Sequence, residues 1–415
     1  MTSTTNKYQE KYNSLDLTAS QKNAFEFFNE NGFPTRKNEL YKNTKINHFR
    51  NLEPFNSSNT PKDVPSFFTH HYMETHLLVF VNGSFSPTLS NYSEEKGLHI
   101  YFDNAVKEQT TITDSFESLA KTFSNNTLTI KVDKNTVVSK PILIMNIAFN
   151  QGENQLINTT QKVILEDNAE LHILEDYLNP SAFDFNLNTF SSYNIGKNAN
   201  LHLNIYQEEE NFYFIGNKYF KQERDSNIFI TNPMLDGGLV RNNFVVNING
   251  ENAHCEINGT FLNTNKTHTD SRIRINHIAP NCTSSQLFRG ILLDESTGVF
   301  NGKVYVDRLA QKTNAYQSNK NLVLSEDAEI FTKPELEIYA DDVKCSHGAT
   351  TGQLDENAIF YAMQRGIPKE KAKALIVFAF AQESLIAIKN ENIKNFFERR
   401  FVLKMGLEEY STADF

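Results

Sequence analysis

The phrase "EDNAELHIL", Glu166–Leu174, and its variants decide the fold. Each variant has a polar turn, then Asn-Ala or a close equivalent, and then apolar residues that alternate with polar ones. The other three are "GKNANLHLNI" at 196–205, "GENAHCEING" at 250–259 and "SEDAEIFT" at 325–332. A tight turn followed by period-two alternation is typical of a short β-strand.

The spacing of these phrases indicates a repeat. Their third residues are Asn168, Asn198, Asn252 and Asp327, and the gaps between them are 30, 54 and 75 residues. These gaps approximate one, two and three units of about 25 to 30 residues. Short strands repeated at this period predict a parallel β-helix, in which each coil covers the face of the one before. A pair of β-sandwiches also contains many short strands and is the alternative.

The first ~50 residues are predicted to be helical. Ser20 is a candidate N-cap, Phe25 and Phe28 give an apolar stripe, and Gly32 ends the helix. The β-rich texture starts near His76. We therefore predict an N-terminal helical region at 1–75 and a parallel β-helix core at 76–347.

The chain after His347 predicts three helices and a C-terminal helical domain at 348–415. Asp355 is a candidate N-cap, Gly366 a helix stop, and Pro368 lies at a first helical turn. The last helix has one apolar and one charged side, from Ile393, Phe396, Phe397, Phe401 and Lys404. So small a domain either lends an apolar face to a partner or closes every face on itself and on the β region.

Composition excludes several classes of function. The net charge is −10 with no basic stripe, so we expect no nucleic-acid partner. The longest apolar run, Ala374–Ala381, falls short of the ~18 to 20 residues of a membrane span, and the N-terminus has no apolar signal segment. Three cysteines are no disulfide framework, and we expect a cytoplasmic protein.

Enzyme signatures are absent from the sequence. There is no phosphate-binding loop, no Gly-x-Gly-x-x-Gly after a strand, no Cys-x-x-Cys and no His-Glu-x-x-His. Carboxylates are abundant, so a β-helix carbohydrate-active enzyme, a lyase or hydrolase with a carboxylate-lined groove, is the alternative class. Asp341 and Asp342 would point to opposite faces of a strand, and they fit a turn between coils better.

Cys345 and His347 are the candidate metal-binding residues. If "DDVKCSHG" at 341–348 is extended, both side chains lie on one face, with their backbones roughly 6.5 to 7 Å apart. Iron–sulfur clusters and structural zinc take about four ligands, so this pair is half a site that another chain or further residues must complete. The structural alternative is a packed cysteine beside a hydrogen-bonded histidine.

The other cysteines and histidines give weaker indications. Cys255 alternates with polar residues and is expected to face the core. Cys282 lies in a turn-like stretch and indicates nothing. His268 and His277 lie in polar segments without metal-ligand spacing, so we expect them to be solvated or structural.

A long C-terminal stretch resembles a known family. "KPELEIYADDVKCSHGATTGQLDENAIFYAMQRGI", Lys333–Ile367, is similar to the signature of the SufD branch of the SufB/SufD family of iron–sulfur cluster assembly components. The segments "GFPTRKNELYKNT" at 32–44 and "LVFVNGSFSPTLS" at 78–90 resemble other parts of that family. The resemblance implies a right-handed parallel β-helix with helical ends, which acts as a non-catalytic scaffold in the SUF machinery.

The same resemblance implies partners and site residues. The β-helix would pair with SufB, and the C-terminal helices at 368–388 would dock SufC, the ATPase that binds ATP. The docking surface would be the 364–371 turn and the helix after it. His347 matches the family histidine near the SufB/SufD interface, and Cys345 the accompanying cysteine. We expect no permanently bound cofactor, only a transient iron–sulfur cluster at the SufB interface. A homodimer of the isolated chain stays open.

Overall fold

The computed structural model describes residues 3–55, 74–103, 112–149, 154–180 and 183–407. Strands account for more of the described chain than helices do. The strands are β1 (Glu53–Phe55), β2 (His76–Val81), β3 (Ser84–Phe85), β4 (Leu98–Asp103), β5 (Thr127–Val132), β6 (Ile142–Ile147), β7 (Gln155–Leu165), β8 (Glu170–Leu178), β9 (Phe185–Ile195), β10 (Asn200–Tyr206), β11 (Phe212–Gln222), β12 (Asn227–Leu235), β13 (Leu239–Ile248), β14 (His254–Asn263), β15 (His268–His277), β16 (Thr283–Leu292), β17 (Thr297–Val306), β18 (Asn314–Val323), β19 (Glu329–Ile338) and β20 (Lys344–Gly352).

The strands form two long sheets. Sheet A has the order β19-β17-β15-β13-β11-β9-β7-β5-β4, with β1 beside β7, and sheet B has the order β20-β18-β16-β14-β12-β10-β8-β6-β2-β3. From β5 onward the chain alternates between the two sheets, and from β7 onward each strand pairs in parallel with the strand two places earlier. The fold is therefore the predicted parallel β-solenoid and not a pair of sandwiches.

The pairing of residues fixes the length of each coil. Between strands two places apart along the chain, the shortest step joins Tyr213 to Leu239 and spans 26 residues, and the longest joins Thr127 to Thr160 and spans 33. These lengths confirm the repeat that the sequence predicts.

The recurring asparagine occupies one corner of the solenoid. Asn168, Asn198 and Asn252 have φ values of 59°, 53° and 59°, in the left-handed region that asparagine adopts more readily than most residues. Their side chains also form a ladder, in which Asn198 Nδ2 donates to Asn168 Oδ1 at 2.9 Å. Each Asn-Ala phrase of this kind leads into a strand of sheet B, namely β8, β10 and β14.

The fourth phrase lies at a different corner, which corrects part of the repeat count. Asp327 leads into β19, a strand of sheet A. Five strands, β14 to β18, separate Asn252 from Asp327. With two strands in each coil, the 75-residue gap spans two and a half coils and not the predicted three. Both corners are tight turns of polar residues. The sequence phrase alone therefore does not show whether the next strand belongs to sheet A or to sheet B.

An apolar core fills the space between the two sheets. Inward side chains from successive coils stack on one another and are almost completely buried, for example Leu171, Leu201 and Ile228. Burying each such side chain stabilises the fold by roughly 1.5 to 3 kcal/mol. Cys255 belongs to this core, as predicted.

Helices lie outside the solenoid. None of those in the described part of the chain has both the length and the apolar character to cross a membrane. They are α1 (Ser3–Ser14), α2 (Ala19–Asn31), α3 (Asn47–Arg50), α4 (Ser115–Phe123), α5 (Glu356–Gln364), α6 (Lys369–Gln382) and α7 (Glu391–Lys404).

The N-cap of α2 is Thr18 and not the predicted Ser20. The Thr18 hydroxyl accepts a hydrogen bond from the Gln21 backbone, and the Gln21 side chain accepts one from the Thr18 backbone at 3.0 Å. This reciprocal capping box satisfies two backbone amide groups. Ser20 cannot form it, because Ser20 lies inside the first turn of the helix. Gly32 ends the helix as predicted. Both residues of the predicted apolar stripe are buried, Phe25 and Phe28.

The three predicted C-terminal helices are confirmed. The Asp355 side chain caps α5, Gly366 follows its end with a φ of +86°, and Pro368 directly precedes α6. Helices α6 and α7 pack on apolar residues at the outer face of sheet B; the helix residues include Val377, Phe378, Ile393, Phe397 and Phe401.

The three predicted domains stay a prediction, and the elements cross their borders. Strand β20 continues to Gly352, beyond the predicted end of the core at 347. Helix α4 lies within 76–347, and its Leu119 and Phe123 pack with Phe25 and Phe28 of α2. Residues 56–73 of the predicted first domain and 408–415 of the last lie outside the described residues.

Candidate functional site

Cys345 and His347 lie on β20, the last strand of sheet B. The sequence places them at the end of a strand, but they lie near its beginning, because the extended conformation continues through Gly348–Gly352. In the ladder Cys345 pairs with Ala315 and His347 with Gln317. Since side chains alternate along a strand, the cysteine and the histidine share the face that continues the lumen side of the solenoid.

The two side chains have different surroundings. Cys345 is half-buried against a small apolar cluster that includes Val304, Ala315 and Leu336. Burial raises the pKa of its thiol above the ordinary value, so the thiol is protonated near neutral pH until a metal or another positive charge approaches it. His347 is exposed, so its imidazole is accessible to a partner or an ion.

A polar column lies below His347. Gln317 lies one coil before His347 and pairs with it. Gln286 lies one coil before Gln317 and pairs with that residue. Both glutamines are almost fully buried, and the amide oxygen and nitrogen of each have no hydrogen-bond partner among the described residues. An unsatisfied buried polar group costs about 1 to 3 kcal/mol. Such groups are therefore candidates for a functional role beside His347.

The last coil is open. Strands β19 and β20 end their sheets, and no strand in the described part of the chain covers their outer edges. All residues from Ser346 to Gly352 are exposed. A long unpaired strand edge offers backbone donors and acceptors to a further strand. Cys345 and His347 therefore lie on a terminal strand of the solenoid, next to an exposed sheet edge.

The other candidates have structural roles. The His277 imidazole is fully buried and lies 2.8 Å from the Ser284 hydroxyl. Burial lowers the pKa of His268 to about 4, so this imidazole is neutral near pH 7. Cys282 is buried directly after the left-handed Asn281. Asp341 and Asp342 are exposed in a bend between coils, as predicted.

Helix α5 presents an apolar surface that the sequence does not single out. Phe360 and Tyr361 are each 62% exposed and Met363 is 42% exposed. We call these three residues the α5 patch. It lies directly before the 364–371 turn that was predicted to dock a partner. Large exposed apolar side chains grouped on one short helix are typical of an interaction surface.

Family models match almost the full length of the chain. The model described as "SufBD protein N-terminal region" matches residues 3–144. The model described as "SUF system FeS cluster assembly, SufBD core domain" matches residues 148–380. The second match includes the open coil with Cys345 and His347, and also the α5 patch.

Individual relatives agree with the family models. The "Iron-sulfur cluster assembly protein SufD" of Escherichia coli K12 is 31% identical over 88% of this chain and 87% of its own length. An "Iron-sulfur cluster assembly SufBD family protein" of Synechocystis is 28% identical over 85% of this chain and 83% of its own. The SufD protein of Bacillus subtilis is 26% identical over 63% of this chain and 60% of its own.

Proposed function

The chain belongs to the SufBD family of iron–sulfur cluster assembly proteins, and we propose that it is a non-catalytic, SufD-type scaffold subunit of the SUF machinery. In this role it pairs with SufB through its open coil and docks the ATPase SufC through its C-terminal helices. The iron–sulfur cluster is cargo that the complex builds and passes on.

The open last coil is the observation that carries this proposal. Its strands, β19 and β20, both have free edges on the same end of the solenoid. A solenoid of related fold can add its own last strands to these edges, which satisfies the backbone groups on both sides. SufB is the proposed occupant because the resemblance to the SufB/SufD family implies that the β-helix pairs with SufB.

The pair of Cys345 and His347 becomes half of a site in such a complex. A cluster takes about four ligands, of which this chain offers a thiol and an imidazole, so SufB supplies the others. The raised pKa of the Cys345 thiol fits a residue that becomes a thiolate only when iron arrives. The amide of Gln317 lies on the same face, in the strand next to His347, and can donate a hydrogen bond to sulfide or thiolate sulfur.

The proposal includes a cytoplasmic location and no permanently bound cofactor. Cys255, Cys282 and Cys345 are all free, which suits a reducing compartment. Nucleotide chemistry belongs to SufC, since the sequence has no phosphate-binding loop.

Anaerobic cluster reconstitution tests the half site. This chain is co-expressed with SufB and SufC, and visible absorption and iron content are compared for the unsubstituted chain, His347→Ala and Cys345→Ala. We expect both variants to assemble the complex, and His347→Ala to lose most of the cluster. His99→Ala is the matched control, because this half-exposed histidine pairs with Asp133 far from the open coil.

Two outcomes would contradict the proposal. Normal cluster content in both variants removes Cys345 and His347 from the site. A chain that forms only homodimers and does not bind SufB in size-exclusion chromatography removes the proposed pairing.

A further inference from the structure

Two consecutive coils place a glutamate and two histidines together on the outer face of sheet B. In the phrases "ELHIL" and "NLHLN" the histidine follows the corner at the same distance, so the repeat brings His172 and His202 into register. Their neighbours Leu171 and Ile173 face the lumen. Because side chains alternate along a strand, Glu170 and His172 share the outer face.

The potential ligand atoms of these residues are close to one another. One carboxylate oxygen of Glu170 and one ring nitrogen each of His172 and His202 all lie within 4.8 Å of each other. The His172 Nε2 is 3.3 Å from the Glu170 carboxylate. No other group of three such side chains with converging ligand atoms is found in the described ranges.

We propose that Glu170, His172 and His202 bind one divalent first-row transition-metal ion, such as Zn²⁺ or Fe²⁺. Two imidazoles and one carboxylate are a ligand set that holds these ions and leaves positions for water. This site is separate from the Cys345–His347 pair and does not depend on the function proposed above.

The His202 imidazole is enclosed by its neighbours. The His202 ring stacks on His172 at 4.2 Å and on Phe229 at 4.8 Å, so both of its faces are covered. His202 is only 8% exposed, and burial, with the nearby His172 and Lys389, lowers its pKa to about 3. Burial also lowers the pKa of His172.

The parallel rings set a condition on binding. With an angle of 5° between the ring planes, the nitrogen lone pairs of His172 and His202 run side by side. An ion is bound when the side chains rotate so that the lone pairs converge. Glu170 is one-third exposed, so the ion enters from the solvent side.

Titration of the metal-free, isolated chain with Co²⁺, Zn²⁺ and, without oxygen, Fe²⁺ tests the site. We expect one ion per chain, and a visible Co²⁺ spectrum without a thiolate charge-transfer band. Glu170→Gln and His202→Phe should each weaken binding by about tenfold or more. The phenyl ring of His202→Phe keeps the stack between His172 and Phe229, so this variant loses a ligand while its thermal midpoint without metal stays close to that of the unsubstituted chain.

His99→Ala and His347→Ala are the controls, and we expect both to bind the ion as the unsubstituted chain does. The proposal is overturned if His202→Phe binds with unchanged affinity, if His347→Ala is the variant that loses the ion, or if none of the three metals binds at stoichiometric amounts.

Discussion

At one corner of each coil a single residue takes the left-handed backbone conformation. Asparagine and aspartate supply most of these residues, because their short polar side chains tolerate it and bond to the neighbouring coil. At four of these corners the left-handed residue is not part of an Asn-Ala pair. The Asn-Ala phrase in the sequence therefore identifies only some of the corners. Among the described residues, the series along this corner is Asn135, Asn168, Asn198, Asp225, Asn252, Asn281 and Lys312.

The corner also explains residues that sequence patterns leave open. Cys282 follows Asn281 as Ala169 follows Asn168, and both are buried. It is therefore the small inward residue of its corner. A search for any small residue after Asn or Asp at intervals of about 30 residues would have found it.

Substitutions at Asn198 test how much this corner contributes to stability. In Asn198→Ala the left-handed backbone costs about 1 to 2 kcal/mol and the hydrogen bond to Asn168 is lost. Asn198→Gly loses the same hydrogen bond but not the backbone preference. We therefore expect the denaturant midpoint to fall in the order unsubstituted, glycine, alanine. Equal midpoints for the two variants would show that the conformation of this corner does not limit stability.

Among the elements near the C-terminus, the helices follow their sequence signals closely and the last strand does not. Caps such as Asp355 act through local hydrogen bonds, so the sequence contains the information. Strand β20 continues beyond His347 and ends at Gly352. It contains two glycines and no buried residue. Its extended conformation depends on pairing with β18, a non-local contact that no local pattern reports.

Substitutions in the α5 patch test whether this surface takes part in binding SufC. Phe360→Asp and Tyr361→Asp each place a charge in the middle of the exposed apolar surface, which costs more in an interface than in water. We expect either variant to reduce co-purification of SufC by at least about tenfold, while SufB still binds.

Leu309→Asp is the matched control, because Leu309 is 76% exposed on a turn of the solenoid and not on α5. Undiminished SufC recovery with both α5 variants would contradict the docking assignment.

At the scale of the whole molecule, the solenoid grows by repetition and has no intrinsic end. Each coil covers the one before it, and the last coil, β19 with β20, is left with its outer edges unpaired by any described strand. The sequence predicted the repeat, the flanking helices and the Cys345–His347 pair. The ligand set of His172, His202 and Glu170 appears only when the register of two coils is known, because 30 residues separate the histidines.

The central claim is that this open end is covered by SufB, and hydrogen exchange of the backbone amides tests it most directly. Exchange is measured for the isolated chain and for its complex with SufB. We predict strong additional protection in β19 and β20 on complex formation, and little change in central strands such as β10 and β12, whose amides are already paired. A stable complex in which β19 and β20 exchange as fast as in the isolated chain would contradict the account.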